Sequence, residues 1–152
     1  MRMGVLYAVT PLVADDEFIT WLRKFGNEPP EASTSRYPTV REIRDTLARL
    51  DGYVFETSTG GMNWEAVVFE RGRQEYRWAG EWADLIVTEY HGDDTIPLSF
   101  YFSKGPARLP VLIVQLLTSL CGLLVIMRDS DAIPLLITPD TDIDRALRAW
   151  GM

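Results

Sequence analysis

Three acids at alternate positions, Asp140, Asp142 and Asp144 in "PDTDIDRALRAW", have the spacing with which an EF-hand loop offers its first oxygen ligands to calcium. Such a loop also requires Gly at its sixth position and Glu at its twelfth, where this chain has Arg145 and Gly151. The same residues make a good helix start. Asp140 or Thr141 caps free N–H groups, and acids in the first turn face the positive end of the helix dipole. No metal is expected there. The segment "EYHGDD" (89–94) holds the single histidine, His91, among Glu89, Asp93 and Asp94. Zinc usually draws on several His or Cys ligands. The one cysteine, Cys121, lies in an apolar run where burial is expected to silence it as ligand or nucleophile. Gly-Asp-Asp is good turn chemistry, and a turn is the reading preferred. "STGGMNW" (58–64) lacks the Gly-Lys-Ser/Thr ending of a phosphate loop and reads as a hairpin turn. No Gly-x-Ser-x-Gly, Cys-x-x-Cys or His-Glu-x-x-His occurs, so no catalytic residue and no cofactor is assigned.

"ERGRQEYRWAGEWAD" (70–84) interleaves Arg71, Arg73 and Arg77 with Tyr76, Trp78 and Trp82. Arginines among aromatics can bind single-stranded nucleic acid, but Glu70, Glu75 and Glu81 offset the charge. Cross-strand pairing and edge protection is the first reading. A partner surface is the second, because Trp, Tyr and Arg are enriched at interface hot spots.

The elements that must position these residues follow from period and capping. "GVLYAVT" (4–10) reads as a strand. "DDEFITWLRKFG" (15–26) reads as a helix capped by Asp15, with Asp16 and Glu17 in the first turn and Gly26 at the stop. "NEPPEASTSRYP" (27–38) reads as a loop of the length at which structureless segments are often functional. "TVREIRDTLARLDG" (39–52) carries a Thr39–Glu42 capping box and an apolar stripe of Val40, Ile43, Leu47 and Leu50. From Tyr53 to Ser103 the period is two. Candidate strands 53–57, 63–70, 74–78, 83–90 and 96–103, separated by Gly-rich turns, predict an antiparallel meander.

"LPVLIVQLLTSLCGLLVIM" (109–127) has no charge in nineteen positions, the length of a membrane span candidate. Gln115, Thr118, Ser119 and Gly122 share one helical face, Pro110 suits a first turn, and Gly122 suits a left-handed cap. The stretch is therefore read as a helix over 109–121 followed by a buried strand over 123–127. A strand at 134–138 and a helix at 141–150 complete the chain. The predicted fold is α+β in one domain spanning 1–152, a mainly antiparallel sheet with three to four helices packed on one face.

At 152 residues, 47% hydrophobic and 24% charged, the chain is long enough to bury a core without disulfides. A net charge of −7 opposes binding to nucleic-acid phosphates or to an anionic membrane surface. Near the start, Pro11 interrupts the short apolar run before Ala14, so a secretory leader is not expected and a cytoplasmic location is. The functional expectation is a small acidic, non-enzymatic binding or inhibitor protein acting on a basic protein partner. Its most concrete form is an immunity protein that neutralises a toxin. The contact candidates are Asp15, Asp16, Glu17, Asp93, Asp94, Asp140 and Asp142, with Trp78 and Trp82 as anchors. Two alternatives stand beside it: a small carboxylate-dependent hydrolase or transferase, whose carboxylate pair would be recognised by geometry rather than spacing, and a subunit of a larger assembly. Composition leaves the oligomeric state open.

Overall fold

The computed structural model describes residues 6–30, 34–73, 75 and 77–152. Seven strands form one antiparallel sheet: β1 (Leu6–Pro11), β2 (Tyr53–Gly60), β3 (Asn63–Glu70), β4 (Trp82–Val87), β5 (Phe100–Ser103), β6 (Leu124–Arg128) and β7 (Pro134–Ile137). Their order across the sheet is β2-β3-β4-β5-β1-β6-β7. β2 to β5 run as the expected meander. β1 then inserts between β5 and β6, pairing antiparallel with both. Four helices accompany the sheet: α1 (Asp16–Lys24), α2 (Val40–Ala48), α3 (Arg108–Cys121) and α4 (Ile143–Arg148).

Period-two alternation decides which side of the sheet is covered. Tyr7, Val9, Trp64, Ala66, Val68, Leu85, Val87, Phe100, Phe102, Leu124 and Ile126 point one way. They form the main core with Val40, Ile43 and Leu47 of α2, with Leu109, Ile113, Val114 and Leu117 of α3, and with Leu147 of α4. Each fully buried side chain of this kind contributes about 1.5–3 kcal/mol relative to exposure. Helix α2 starts as its sequence dictates. The Thr39 hydroxyl accepts from Glu42 N–H at 3.1 Å, and the Glu42 carboxylate accepts from Thr39 N–H at 3.0 Å.

Helix α1 departs from the expectation that all helices share one face. Its Phe18, Ile19, Trp21 and Leu22 pack on Leu12, Leu123, Val125 and Leu136, on the opposite side of β6 and β7. The cause is legible in those two strands. "LVIM" and "PLLI" are continuous apolar runs rather than alternating ones, so both of their faces need cover. In β3 and β4 the alternation places Glu65 and Asp84 on the second face, and no helix among the described residues packs there.

The uncharged stretch 109–127 divides as the sequence predicts, α3 ending at Cys121 and β6 starting at Leu124. Among the described residues no helix is long and apolar enough to cross a membrane. Gly122 makes the turn at φ 82°, ψ −173°, an extended glycine conformation and not the left-handed helical cap expected. A Cβ there would also lie 2.2 Å from the Thr34 carbonyl oxygen, so the 34–36 segment closes over the helix end only because the residue is glycine. The polar stripe of α3 is not a wet face. Gln115 Nε2 donates to Thr141 O at 2.6 Å and to Thr138 O at 3.3 Å, Thr118 is buried, and Leu116 and Leu120 are exposed instead.

Other boundaries shift. Residues 75, 77 and 78 of the predicted strand 74–78 lie in turns and a bend, while Gln74 and Tyr76 fall outside the described residues. The predicted strand 96–103 is regular only from Phe100, and the final helix only from Ile143 to Arg148. Residues 27–30 and 34–38 have no helix or strand, as expected of a loop. Residues 31–33, and positions 4 and 5 of the first predicted strand, lie outside the described residues.

Candidate functional site

The side of the sheet without helices over β1 to β5 is the most accessible extended surface of known register. Cross-strand pairing brings Ser58, Glu65, Ile86, Tyr101, Ala8 and Met127 into one row. The adjoining row holds Glu56, Val67 and Asp84, continued by Ser103 and Leu6 on β5 and β1. Leu6 is 40% exposed and Ala8 is exposed, whereas Ile86 is buried by its neighbours. The surface is an apolar-polar mixture with two carboxyl groups at its centre.

Those two carboxyls belong to Glu65 on β3 and Asp84 on β4, diagonal neighbours on the same face. Asp84 Oδ1 is buried and accepts no hydrogen bond from a donor group. The Asp84 pKa is raised from 3.8 to about 7, first by burial and then by hydrogen bonding and charge from the adjoining Glu65 carboxyl. The Ser103 hydroxyl and the Lys104 ammonium act in the opposite direction. With a pKa raised to about 7, Asp84 keeps part of its proton near neutral pH, beside the Glu65 carboxyl. Chemically, such a pair can release or accept a proton at physiological pH, and it can exchange that proton for a cationic side chain.

A corner of aromatics closes one end of this surface. Between β3 and β4, the Arg77 guanidinium lies 5.1 Å from the Phe69 ring centroid and 3.3 Å from Glu56 Oε1. Trp78, 55% exposed, meets Trp82 edge-on at 4.5 Å between centroids. The Glu70 carboxylate accepts from Glu81 N–H at 2.7 Å and holds the return of the segment. A Cβ at Gly80 would sit 2.0 Å from the same carboxylate, so that close approach again requires glycine.

The residues singled out by sequence take up separate stations. Trp78 and Trp82 form the aromatic corner just described. Asp15 caps α1, accepting from Phe18 N–H at 3.0 Å, while Asp16 and Glu17 are exposed in its first turn. Asp93 accepts from Thr95 N–H at 2.9 Å and from the Thr95 hydroxyl at 2.6 Å, which lowers its pKa. Asp94 is half-buried, accepting from Tyr90 Oη at 2.5 Å and pairing with Arg44 at 2.9 Å; the Tyr90 bond, then Arg44, lower its pKa. Asp142 caps α4 through Arg145 N–H at 3.2 Å. Asp140 and Asp142 line one groove of about 410 Å³ beside β7, with Phe25, Asn27, Leu136 and Arg145. Asp15, Asp93, Asp94 and Asp142 therefore already hold local partners, and the acids do not converge on one patch.

Among the described residues no group of three or more His, Cys, Asp or Glu side chains is arranged to hold a metal ion. Cys121 is buried, and burial, with the Glu42 charge, pushes its thiol up to about 11, far from a reactive thiolate. The Glu65–Asp84 pair was missed because periodicity assigns each to a face without saying which residues lie side by side. The available signal was Asp84 itself, an acid between Ala83 and Leu85 in a strand otherwise apolar from Trp82 to Val87.

Compared with protein-family models, with curated proteins and with solved structures, the chain finds no match in any of the three.

Proposed function

We propose that this is a non-enzymatic binding protein whose ligand is a basic protein surface, as when an immunity protein neutralises a toxin, and that the helix-free side of the sheet is the contact face. The observation that carries the reading is the Glu65–Asp84 pair. It is a half-buried acidic centre flanked by Val67 and Ile86, with Tyr101 next along the row and the exposed Trp78 at its margin. A lysine or arginine placed on the pair displaces its proton and gains a charge-assisted hydrogen bond, while the surrounding apolar atoms exclude water. The net charge of −7 adds steering, which acts on the association rate more than on contact energy.

The test is capture of the partner from native lysate, its identification by mass spectrometry, and measurement of association across a salt series. The expected result is an on-rate that falls with ionic strength, and binding at pH 6 that releases protons, seen as a dependence of calorimetric heat on buffer ionisation enthalpy. Glu65→Lys should weaken the complex at least tenfold. A salt-independent on-rate, or a partner whose contact face is acidic, overturns the reading.

A second reading, a carboxylate-dependent hydrolase or transferase, is favoured by one observation. An Asp raised to about 7 beside a second carboxyl is matched to general acid–base work near neutral pH. The pair lies on a sheet surface rather than in a water-excluding cleft, which favours binding over catalysis. Turnover of ester, phosphoester or glycoside substrates that is lost in Asp84→Asn would reverse that order.

A further inference from the structure

The two outer strands of the sheet are treated differently. β7 is short, begins with a proline, and has its outer backbone groups occupied by a side chain. Asn27 Nδ2 donates to Pro134 O at 3.0 Å, and Asn27 Oδ1 accepts from Leu136 N–H at 3.0 Å, as a neighbouring strand would. β2 is eight residues long, "YVFETSTG", with no proline and no lysine, and its last five residues are exposed. β2 keeps one edge-blocking feature, the charge of Glu56, which pairs with Arg77, but it has neither the shortness nor the proline that block β7.

Which backbone groups β2 offers follows from its pairing with β3. Gly52 O accepts from Arg71 N–H at 2.9 Å, and Gly60 stands opposite Asn63 across the two-residue turn. In an antiparallel ladder, hydrogen-bonded and non-hydrogen-bonded pairs alternate. Even-numbered residues of β2 therefore bond inward to β3, and Phe55, Thr57 and Thr59 turn their N–H and C=O groups outward.

We infer that β2 is the dimerisation edge of this protein, pairing antiparallel with β2 of a second copy about a two-fold axis at Thr57. A two-fold pairing must set an outward-bonding residue opposite another. Among registers with nearly full overlap this leaves two, centred on Glu56 or on Thr57. The first puts two Glu56 carboxylates directly opposite each other, which is unfavourable. The second sets Glu56 against Ser58, Phe55 against Thr59, and Thr57 against itself, so no like charges oppose. The interface is isologous and closes at two copies. The blocked β7 edge then prevents the joined sheet from growing further.

The full chain should sediment as a species near twice 17.3 kDa at high protein concentration. Thr57→Pro removes only an outward N–H, so the β2–β3 ladder keeps its bonds. It should raise the dimer dissociation constant at least tenfold while the circular dichroism spectrum is retained. Thr57→Cys tests the register independently of folding defects in the proline variant. A hydrogen-bonded antiparallel pair sets Cα atoms about 5.5 Å apart, within the span of a disulfide, so mild oxidation should link most of the protein into dimers. Thr59→Cys, displaced along the strand from its own copy, should link at least tenfold less. The native Cys121 is buried and does not compete. A monomer at all concentrations, or equal cross-linking of the two cysteine variants, overturns the inference. So does a dimer that Thr57→Pro leaves intact.

Discussion

The two sides of the sheet differ in what a residue on them can be used for. On the covered side, Phe102 is enclosed by α2 and α3 and makes the core; one position earlier in β5, Tyr101 faces outward on the side without helices and is half-buried. The covered side is spent on stability. The other side is left with polar groups that the fold does not need in their present ionisation state, Asp84 above all. A group that is held at a cost to the fold, and near a surface a partner can reach, is where function is to be sought.

That contrast can be broken most forcefully within β5. Phe102→Ala should cost about 3–5 kcal/mol of unfolding free energy, through lost burial and the cavity left behind. Tyr101→Ala, one residue away on the opposite side, should cost no more than about 1–2 kcal/mol. Urea denaturation of both variants makes the measurement, and equal losses would mean that the second side is also core. Next in size is Asn27→Ala, which removes the hydrogen bonds to Pro134 and Leu136 and a third from Asn27 Nδ2 to Leu22 O at 3.3 Å. It should destabilise by about 2–3 kcal/mol at roughly 1 kcal/mol per bond. Hydrogen exchange should show the loss concentrated in β7 and α1.

Smaller effects are read as pH dependence. Asp84 holds its proton more tightly in the folded protein than in the unfolded chain, so the folded state binds more protons between pH 3.8 and about 7. Stability should therefore fall as pH rises through that window. With solvent screening of a half-exposed group discounted, the effect is of order 1 kcal/mol. Asp84→Asn should flatten the slope, and a wild-type stability that rises across the window would contradict the assignment. Glu42 has the opposite sign. The Arg36 guanidinium, at 2.7 Å, and the Thr39 N–H hold it down to about 2. The pair's contribution is present above pH 4.5 and lost as pH falls toward 2. Glu42 is partly buried but its partner Arg36 is exposed, so Glu42→Gln should cost about 1 kcal/mol at pH 7.

The fold class was legible because it rests on local rules. Asp15 and Thr39 cap helices where capping chemistry places them, the last helix is capped by Asp142 rather than by the expected Asp140 or Thr141, and the meander follows from period two broken by glycine turns. Residues 75, 77 and 78 do not form the strand predicted at 74–78, although "QEYRW" has strand-like composition; the return into β4 is held by Glu70 accepting from Glu81 N–H. That long-range bond has no signature in the composition of either residue. The placement of α1 was legible in principle, since β6 and β7 are apolar at every position from Leu124 to Met127 and from Pro134 to Ile137. The site was hardest of all. Acids at helix starts stand out in a sequence, yet Asp15 and Asp142 are consumed as caps. Glu65 and Asp84 become neighbours only through the register of β3 against β4.

The place of β1 sets a timetable for making the molecule. The first described strand is flanked by β5, which ends at Ser103, and by β6, which ends at Arg128, and Leu6 N–H bonds to the Asp129 carboxylate 123 residues on. On a ribosome, β2 to β4 can pair as soon as they emerge, each with its immediate successor. β1 has to wait with Tyr7 and Val9 uncovered until most of the chain has followed. Closing so long a loop is slow, and folding in the millisecond-to-second range is the expectation for a sheet with such distant partners. The strand is also sheltered from far along the chain: Trp150 stacks on Tyr7 at 5.7 Å and donates its indole N–H to Ile133 O at 2.9 Å. A chain truncated before Trp150 would leave Tyr7 without its stacking partner.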